Sequence, residues 1–262
     1  MRNNSTWAPS ALSPIPWPKA AWNPLLVLAT GFGVIVLNIV PAIAYILIYN
    51  YVIARSGPHA HGHTLAMPPP FQLLLAQIIT YVPVVAFLVF LLPEVALVSL
   101  ADLGIRKPTS RDVVVGLAGT VAMWLTVVIA SAIATSVTHR HDTESAVAIL
   151  KGLKTPLSIG TFFLLACVFA PIVEELTFRV FIFGALTRYL PIWASAAISG
   201  SLFGAAHIGA PGQIVTVGVP LALGGVVLAY VYATSRCYWS NVITHATFNT
   251  INVVALVFFH AS

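Results

Sequence analysis

The chain has 262 residues, of which 59% are hydrophobic and 7% are charged, and its mean hydropathy is +0.95. Soluble domains carry roughly 25% charged residues, so this composition excludes a water-soluble enzyme. Lys and Arg outnumber Asp and Glu by 12 to 7, but the basic residues are spread through the connections rather than gathered in one stripe, which argues against a nucleic-acid partner.

Residues 1–24 form a segment rich in proline and tryptophan ahead of the first apolar stretch. Tryptophan is typical of the membrane interface, and the segment lacks the short apolar core and cleavage site of a signal peptide. The remainder, residues 25–262, is predicted to be one integral membrane domain, because no stretch within it resembles a soluble domain.

Seven apolar stretches are long enough to cross a hydrocarbon layer of ~30 Å, and eight is the alternative count. They cover residues 25–49, 71–92, 113–137, 159–186, 192–208, 214–234 and 240–259. Since lipid cannot pair exposed backbone groups, spans of this length predict an all-α, polytopic helical bundle. Lys and Arg are more numerous in the connections on the N-terminal side, so the positive-inside rule predicts a cytoplasmic N-terminus.

Residues 174–179 read Glu-Glu-Leu-Thr-Phe-Arg and lie inside a predicted membrane helix. Each ionisable residue costs roughly 2.5 to 3.5 kcal/mol at the centre of such a helix, so the cluster requires internal pairing or a watery cavity. Glu175 and Arg179 are four residues apart and share a helix face, which predicts an ion pair. Glu174 points about 100° away and is predicted to be an unpaired general base. The alternative is a structural ion pair with a solvent-facing glutamate.

Two further motifs follow in later spans, at Phe203 to His207 and at His245 to Asn249. Residues four apart lie on one face of a helix, so each motif presents its two side chains together. Taken singly, such a histidine is more often a packing residue, and such an asparagine often joins helices by hydrogen bonds. Their occurrence together with Glu174 favours a catalytic site.

These side chains suit two mechanisms of amide hydrolysis. A glutamate and a histidine can polarise a water for attack on a carbonyl, while a histidine and an asparagine donate hydrogen bonds to the oxyanion. Alternatively, Glu174, His207 and His245 bind a zinc ion and leave one position for water. The residues alone leave both mechanisms open.

The three motifs, Glu-Glu-x-x-x-Arg, Phe-x-x-x-His and His-x-x-x-Asn, occur in this order within residues 159–252. They resemble the motifs of the CAAX-processing and bacteriocin-processing family of intramembrane endopeptidases. The likeness covers about residues 100–252 and includes a stretch similar to the family's basic entry region at residues 100–116. It implies an integral protein of a prokaryotic plasma membrane that cleaves a membrane-associated or lipidated peptide, such as a prenylated CAAX-type protein.

The resemblance also implies a role for each motif residue. Glu174 and His207 activate the water, and His245 and Asn249 bind the oxyanion. Glu175, Arg179 and Phe203 support the site. The family includes proteins described as metalloproteases, but the glutamate-type mechanism needs no metal, and we favour this metal-free version.

Two other classes of function remain as alternatives. Intramembrane Glu, Arg and His residues also mark proton relays and substrate pathways, so a transporter is the first alternative. Transporters usually contain topological repeats, and no such symmetry is found in this sequence. A non-catalytic immunity or scaffold protein is the second, and it predicts loss of motif residues, all of which are present.

A catalytic site that contains both His207 and His245 requires the two side chains to lie at a similar depth in the membrane. If His207 ends its helix and the next segment is a full span, His207 lies about 22 Å along its helix from residue 192, whereas His245 lies about 8 Å along its own from residue 240. The imidazoles then lie near opposite membrane surfaces. Their convergence requires tilt, a deeper helix start, or a short or broken segment around residues 209–225, whose glycines and prolines permit a break.

Overall fold

The computed structural model describes residues 22–56 and 69–259. Within these ranges the chain forms ten α-helices, several π and 3-10 turns, and no strand. The predicted all-α membrane bundle is therefore confirmed. The proline- and tryptophan-rich segment lies outside the described residues except for its last three positions, and the division at residue 25 stays a prediction.

Six stretches of helix are long and apolar enough to cross a membrane in the described part of the chain. The helices are α1 (Pro24–Ser56), α2 (Pro70–Ala96), α3 (Ser110–Thr138), α4 (Ser145–Gly152), α5 (Pro156–Leu164), α6 (Ala170–Glu175), α7 (Gly184–Leu186), α8 (Ile192–Ala206), α9 (Val219–Ser235) and α10 (Tyr238–Phe259). The stretch Pro156–Leu186 is one continuous span that contains α5, α6 and α7.

The exception among the seven predicted spans is α8, which has 15 residues. At 1.5 Å per residue this helix is about 22 Å long, so it falls short of a ~30 Å layer. The chain then forms a 3-10 turn, Pro211–Gln213, and a π turn, Ile214–Gly218, before α9 begins. Both turns belong to the span Pro211–Ser235, which is long and apolar enough to cross a membrane, so the helical path after α8 is interrupted at residues 207–210.

Two glycines of α8 allow it to pack closely against the π turn and α9. A Cβ atom at Gly204 would lie 2.3 Å from the carbonyl oxygen of Gly218, and one at Gly200 would lie 2.6 Å from that of Ala222. Small residues one turn apart are the usual means by which membrane helices approach at backbone distance. The approach fixes the depth at which α8 ends.

Hydrogen bonds between connections define the two ends of the bundle. At the first end, Arg106 binds the carboxylate of Asp112 at 2.8 Å, and the Tyr238 amide donates to the Gly104 carbonyl at 2.9 Å. At the second end, the Gln213 amide nitrogen donates to the Thr143 carbonyl at 2.9 Å. The starts of α3 and α10 therefore lie at one end, and the break before α9 lies at the other.

Candidate active site

The motif carboxylates lie on α6, a short helix with a π segment on each side. These segments are Leu165–Phe169 and Leu176–Phe183. A π turn frees backbone carbonyls from the regular helical ladder, and such turns are frequent at functional sites. Partners from other helices bind two of these carbonyls: Asn249 Nδ2 donates to Ala166 at 2.7 Å, and Ser199 Oγ donates to Phe178 at 2.8 Å.

Glu175 and Arg179 form the predicted ion pair. Arg179 Nε lies 3.2 Å from Glu175 Oε2, and both side chains are 0% exposed. Arg179 also donates to the Gly225 carbonyl at 3.3 Å, and its guanidinium carbon lies 4.5 Å from the centre of the Phe203 ring. Because a buried charge is costly without partners, the carboxylate, the carbonyl and the ring together compensate the cation.

Glu175 has a second contact that the sequence analysis missed. Its Oε1 accepts the Nδ1–H of His245 at 2.8 Å, and its Oε2 accepts an amide hydrogen of Asn241 at 3.1 Å. A carboxylate can only accept, so Nδ1 of His245 carries a proton and Nε2 points away from Glu175. Asn241 lies four residues before His245 on the same helix face, and that spacing is the signal that could have identified it.

His207 lies directly after the end of α8. Its Nδ1–H donates to the Phe203 carbonyl at 2.7 Å, and the two rings lie 4.6 Å apart. The ring of Phe203 also lies 5.5 Å from that of His245, edge to face. Phe203 therefore contacts both histidines and Arg179, which gives the predicted supporting residue a definite position between them.

The carboxylate of Glu174 lies near the rings of both histidines. Its Oε2 lies 3.8 Å from Nε2 of His207 and 3.8 Å from Nε2 of His245. These distances are too long for direct hydrogen bonds, but one water fits between such atoms. Within the described residues Oε2 is buried without a hydrogen-bond partner, although the side chain as a whole is 20% exposed. The structure thus brings together three side chains from three spatially separate helices.

Asn249 lies on α10, four residues after His245. One of its amide hydrogens is donated to the Ala166 carbonyl. A primary amide carries two hydrogens, so the second stays available to another acceptor.

The alternative zinc site was tested against the arrangement of possible ligands. Among residues 22–56 and 69–259, no three His, Cys, Asp or Glu side chains are arranged to hold a metal ion together. The zinc site formed by Glu174, His207 and His245 stays an alternative prediction.

A large cavity connects these groups with the apolar interior of the bundle. Its volume is about 1640 Å³, and its walls are mainly apolar side chains from α1, α2, α4, α9, α10 and the span Pro156–Leu186. Polar groups at the cavity include Glu144, Glu174, His207, His245 and Asn249. A mostly apolar cavity with a few polar groups is typical of a binding site.

Residues 156–251 match the family model described as Rce1-like, type II CAAX prenyl endopeptidase. The segment that carries all three motifs is therefore similar to this family. The resemblance inferred from those motifs is confirmed, and no curated protein or solved structure gives a further significant match. The similarity supports a CAAX-type intramembrane endopeptidase as the general activity. Six apolar helical stretches in the described residues are long enough to cross a membrane, so the chain is an integral membrane protein.

Proposed function

We propose that this protein hydrolyses a peptide bond in a membrane-associated substrate, with water activated by Glu174 and His207. The observation that supports the proposal is the convergence of Glu174 Oε2 on the Nε2 atoms of both histidines, 3.8 Å from each. A water held between them lies beside a carboxylate that has no other partner among the described residues. A positioned carboxylate of this kind is suited to general base catalysis.

The proposed reaction begins when Glu174 takes a proton from the water and the oxygen attacks the carbonyl carbon. His207 keeps its Nδ1 proton on the Phe203 carbonyl, so its Nε2 accepts a hydrogen bond from the same water. In its doubly protonated form, His245 donates Nδ1–H to Glu175 and Nε2–H to the oxyanion. Asn249 adds its second amide hydrogen. Donors fixed before the reaction stabilise the developing charge at little reorganisation cost.

The proposed substrate follows from the cavity and from the family match. An apolar cavity of about 1640 Å³ is large enough for a lipid chain or an apolar peptide segment. The matched family is described as a prenyl endopeptidase of CAAX type. We therefore propose a lipidated or membrane-embedded peptide, of which a prenylated CAAX-type protein is one form.

Replacement of the proposed base tests this function. Glu174→Ala should abolish cleavage of a fluorogenic peptide with a prenylated cysteine, and the melting temperature should stay close to that of the wild type. Arg179→Ala should lower both cleavage and melting temperature, because it leaves the carboxylate of Glu175 buried without its cation, at a cost of about 3 to 5 kcal/mol. An unchanged rate of cleavage by the Glu174→Ala variant would contradict this mechanism.

Metal dependence is tested on the same purified protein. The metal-free mechanism predicts full cleavage in a chelator-treated preparation in which elemental analysis detects no zinc. Loss of activity that stoichiometric zinc restores would instead support the alternative, since catalytic zinc sites recover function on reconstitution.

A further inference from the structure

A third carboxylate lies at the catalytic cavity, outside all three motifs and outside the matched segment. Glu144 precedes the first residue of α4, at the N-cap position, but its side chain does not cap the helix. Glu144 lines the cavity together with Glu174, His207 and His245. No described residue is a hydrogen-bond partner of this carboxyl group. Its position thus has no evident structural purpose.

The segment around Glu144 is held against the loop that follows His207. The residues on either side of Glu144 make the connection: Thr143 accepts a hydrogen bond from Gln213 at 2.9 Å, and the hydroxyl of Ser145 lies beside Gly209. Gln213 in turn accepts the Gly209 amide at 2.8 Å. Glu144 is therefore fixed relative to the end of α8.

Polar and apolar anchors on both sides reinforce this position. Asp142 accepts a hydrogen bond from Thr216 Oγ1 at 2.8 Å and pairs with Arg140 at 2.9 Å. On the other side of Glu144, Leu150 is buried in a cluster that includes Phe162 and Val253. The chain is thus attached before and after the glutamate, which holds its backbone beside the cavity.

The surroundings make this carboxyl group harder to ionise than it is in water. Burial raises the pKa of Glu144 above its ordinary value, and the charge of Glu174 raises it further, whereas His207 and His245 act in the opposite direction. These three side chains face it from α6, from the end of α8 and from α10. On its own segment, Arg140 and Asp142 are paired with each other. The cavity therefore holds, beside Glu174, a carboxyl group that ionises less readily than one in water, as a general acid requires.

We propose that Glu144 is the general acid of this site and that its carboxyl group protonates the leaving amine. This inference rests on the proposed peptidase function. The water oxygen bonds to the carbonyl carbon and gives one proton to Glu174. The C–N bond then breaks, and the nitrogen takes its proton from Glu144. The proton on Glu174 passes through cavity water to Glu144, so each turnover consumes one water and restores both groups.

The test compares two leaving groups in one peptide. The first probe is a fluorogenic CAAX-type peptide with a prenylated cysteine, and the second has the same sequence with a thioester in place of the scissile amide. A thiolate can leave without taking up a proton, whereas an amine leaves only when its nitrogen is protonated. Glu144→Gln should slow cleavage of the amide by about 100-fold or more, the usual size of a general acid contribution, and that of the thioester by less than about threefold.

Three further variants complete the experiment. Glu94→Gln, an exposed position on α2, should leave both rates unchanged. Glu174→Gln should slow both substrates, because both need an activated water. Glu144→Asp keeps a carboxyl group and should cleave the amide faster than Glu144→Gln. Melting temperatures of all variants should match the wild type.

The outcomes separate the inference from the function on which it rests. Equal slowing of amide and thioester by Glu144→Gln, or no slowing of the amide, would overturn the role of Glu144 and leave Glu174 in place. If Glu144→Gln does not fold, equal loss of amide and thioester cleavage in Glu144→Asp overturns that role instead. Undiminished amide cleavage by Glu174→Gln would instead defeat the peptidase mechanism itself.

Discussion

At the scale of single residues, Phe203 occupies the centre of the candidate site. Its ring lies 4.5 Å from the Arg179 guanidinium carbon, 4.6 Å from the His207 ring and 5.5 Å from the His245 ring. Its carbonyl also accepts the Nδ1–H of His207. One apolar residue thus sets the positions of two proposed catalytic groups and of the buried cation.

Phe203→Leu keeps apolar bulk and removes the ring. We expect cleavage to fall about 10-fold to 100-fold, because small displacements of catalytic groups are costly. The melting temperature should also fall, since a buried cation loses its aromatic partner. Phe183→Leu is the matched control: Phe183 is 0% exposed and packs against Tyr232 rather than the histidines. It should lower the melting temperature and leave the rate nearly unchanged. Similar rate losses in both variants would contradict this role.

Sequence spacing predicted the residue contacts that lie within one helix. The Glu175–Arg179 pair follows from a separation of four residues, and the separate direction of Glu174 follows from one further residue of rotation. The hydrogen bond from His245 to Glu175 joins residues 70 apart. Such a contact depends on how helices pack, which periodicity does not encode.

At the scale of elements, the end of α8 decides whether His207 reaches Glu174. The helix approaches the π turn at Gly204, where a Cβ atom would meet backbone atoms of Gly218 at 2.3 Å and Ala222 at 2.7 Å. Neither neighbour is a flexible side chain that could move aside. The position of His207 therefore depends on the absence of a side chain two residues before α8 ends.

Gly204→Ala should lower both the melting temperature and the cleavage rate. The added methyl group should destabilise the fold by about 1 to 3 kcal/mol through overpacking. This cost outweighs the stabilisation of a helix by alanine relative to glycine, which is about 0.5 to 1 kcal/mol. Gly160→Ala in α5 is the matched control, because nothing lies within 4 Å of its added Cβ atom. It should be neutral or stabilising. Equal melting temperatures for the two variants would contradict the packing argument.

The apolar stretches predicted where most elements lie, but not their internal irregularities. Glycines and prolines in residues 209–225 indicated a possible break, and the 3-10 and π turns lie there. The two π segments around α6 were not predicted. Their carbonyls are bound by Asn249 and Ser199 from other helices, so their stability comes from tertiary contacts that the local sequence does not reveal.

At the scale of the whole molecule, the candidate site combines residues from segments at opposite ends of the bundle. His207 precedes Gln213, which binds Thr143 at the second end, whereas His245 lies near the start of α10, at the first end. Tyr189 donates a hydrogen bond to the Trp22 carbonyl, just before α1 begins. The cytoplasmic N-terminus stays a prediction from charge.

The central claim is that side chains from separate helices act on one water. The most direct measurement is a double-mutant cycle in which the rate of peptide cleavage is compared for Glu174→Ala, His207→Ala and the two combined. Groups that act as a unit give grossly non-additive losses. We predict that the double variant is about as slow as the slower single variant. Losses that multiply, as they do for independent sites, would contradict the account.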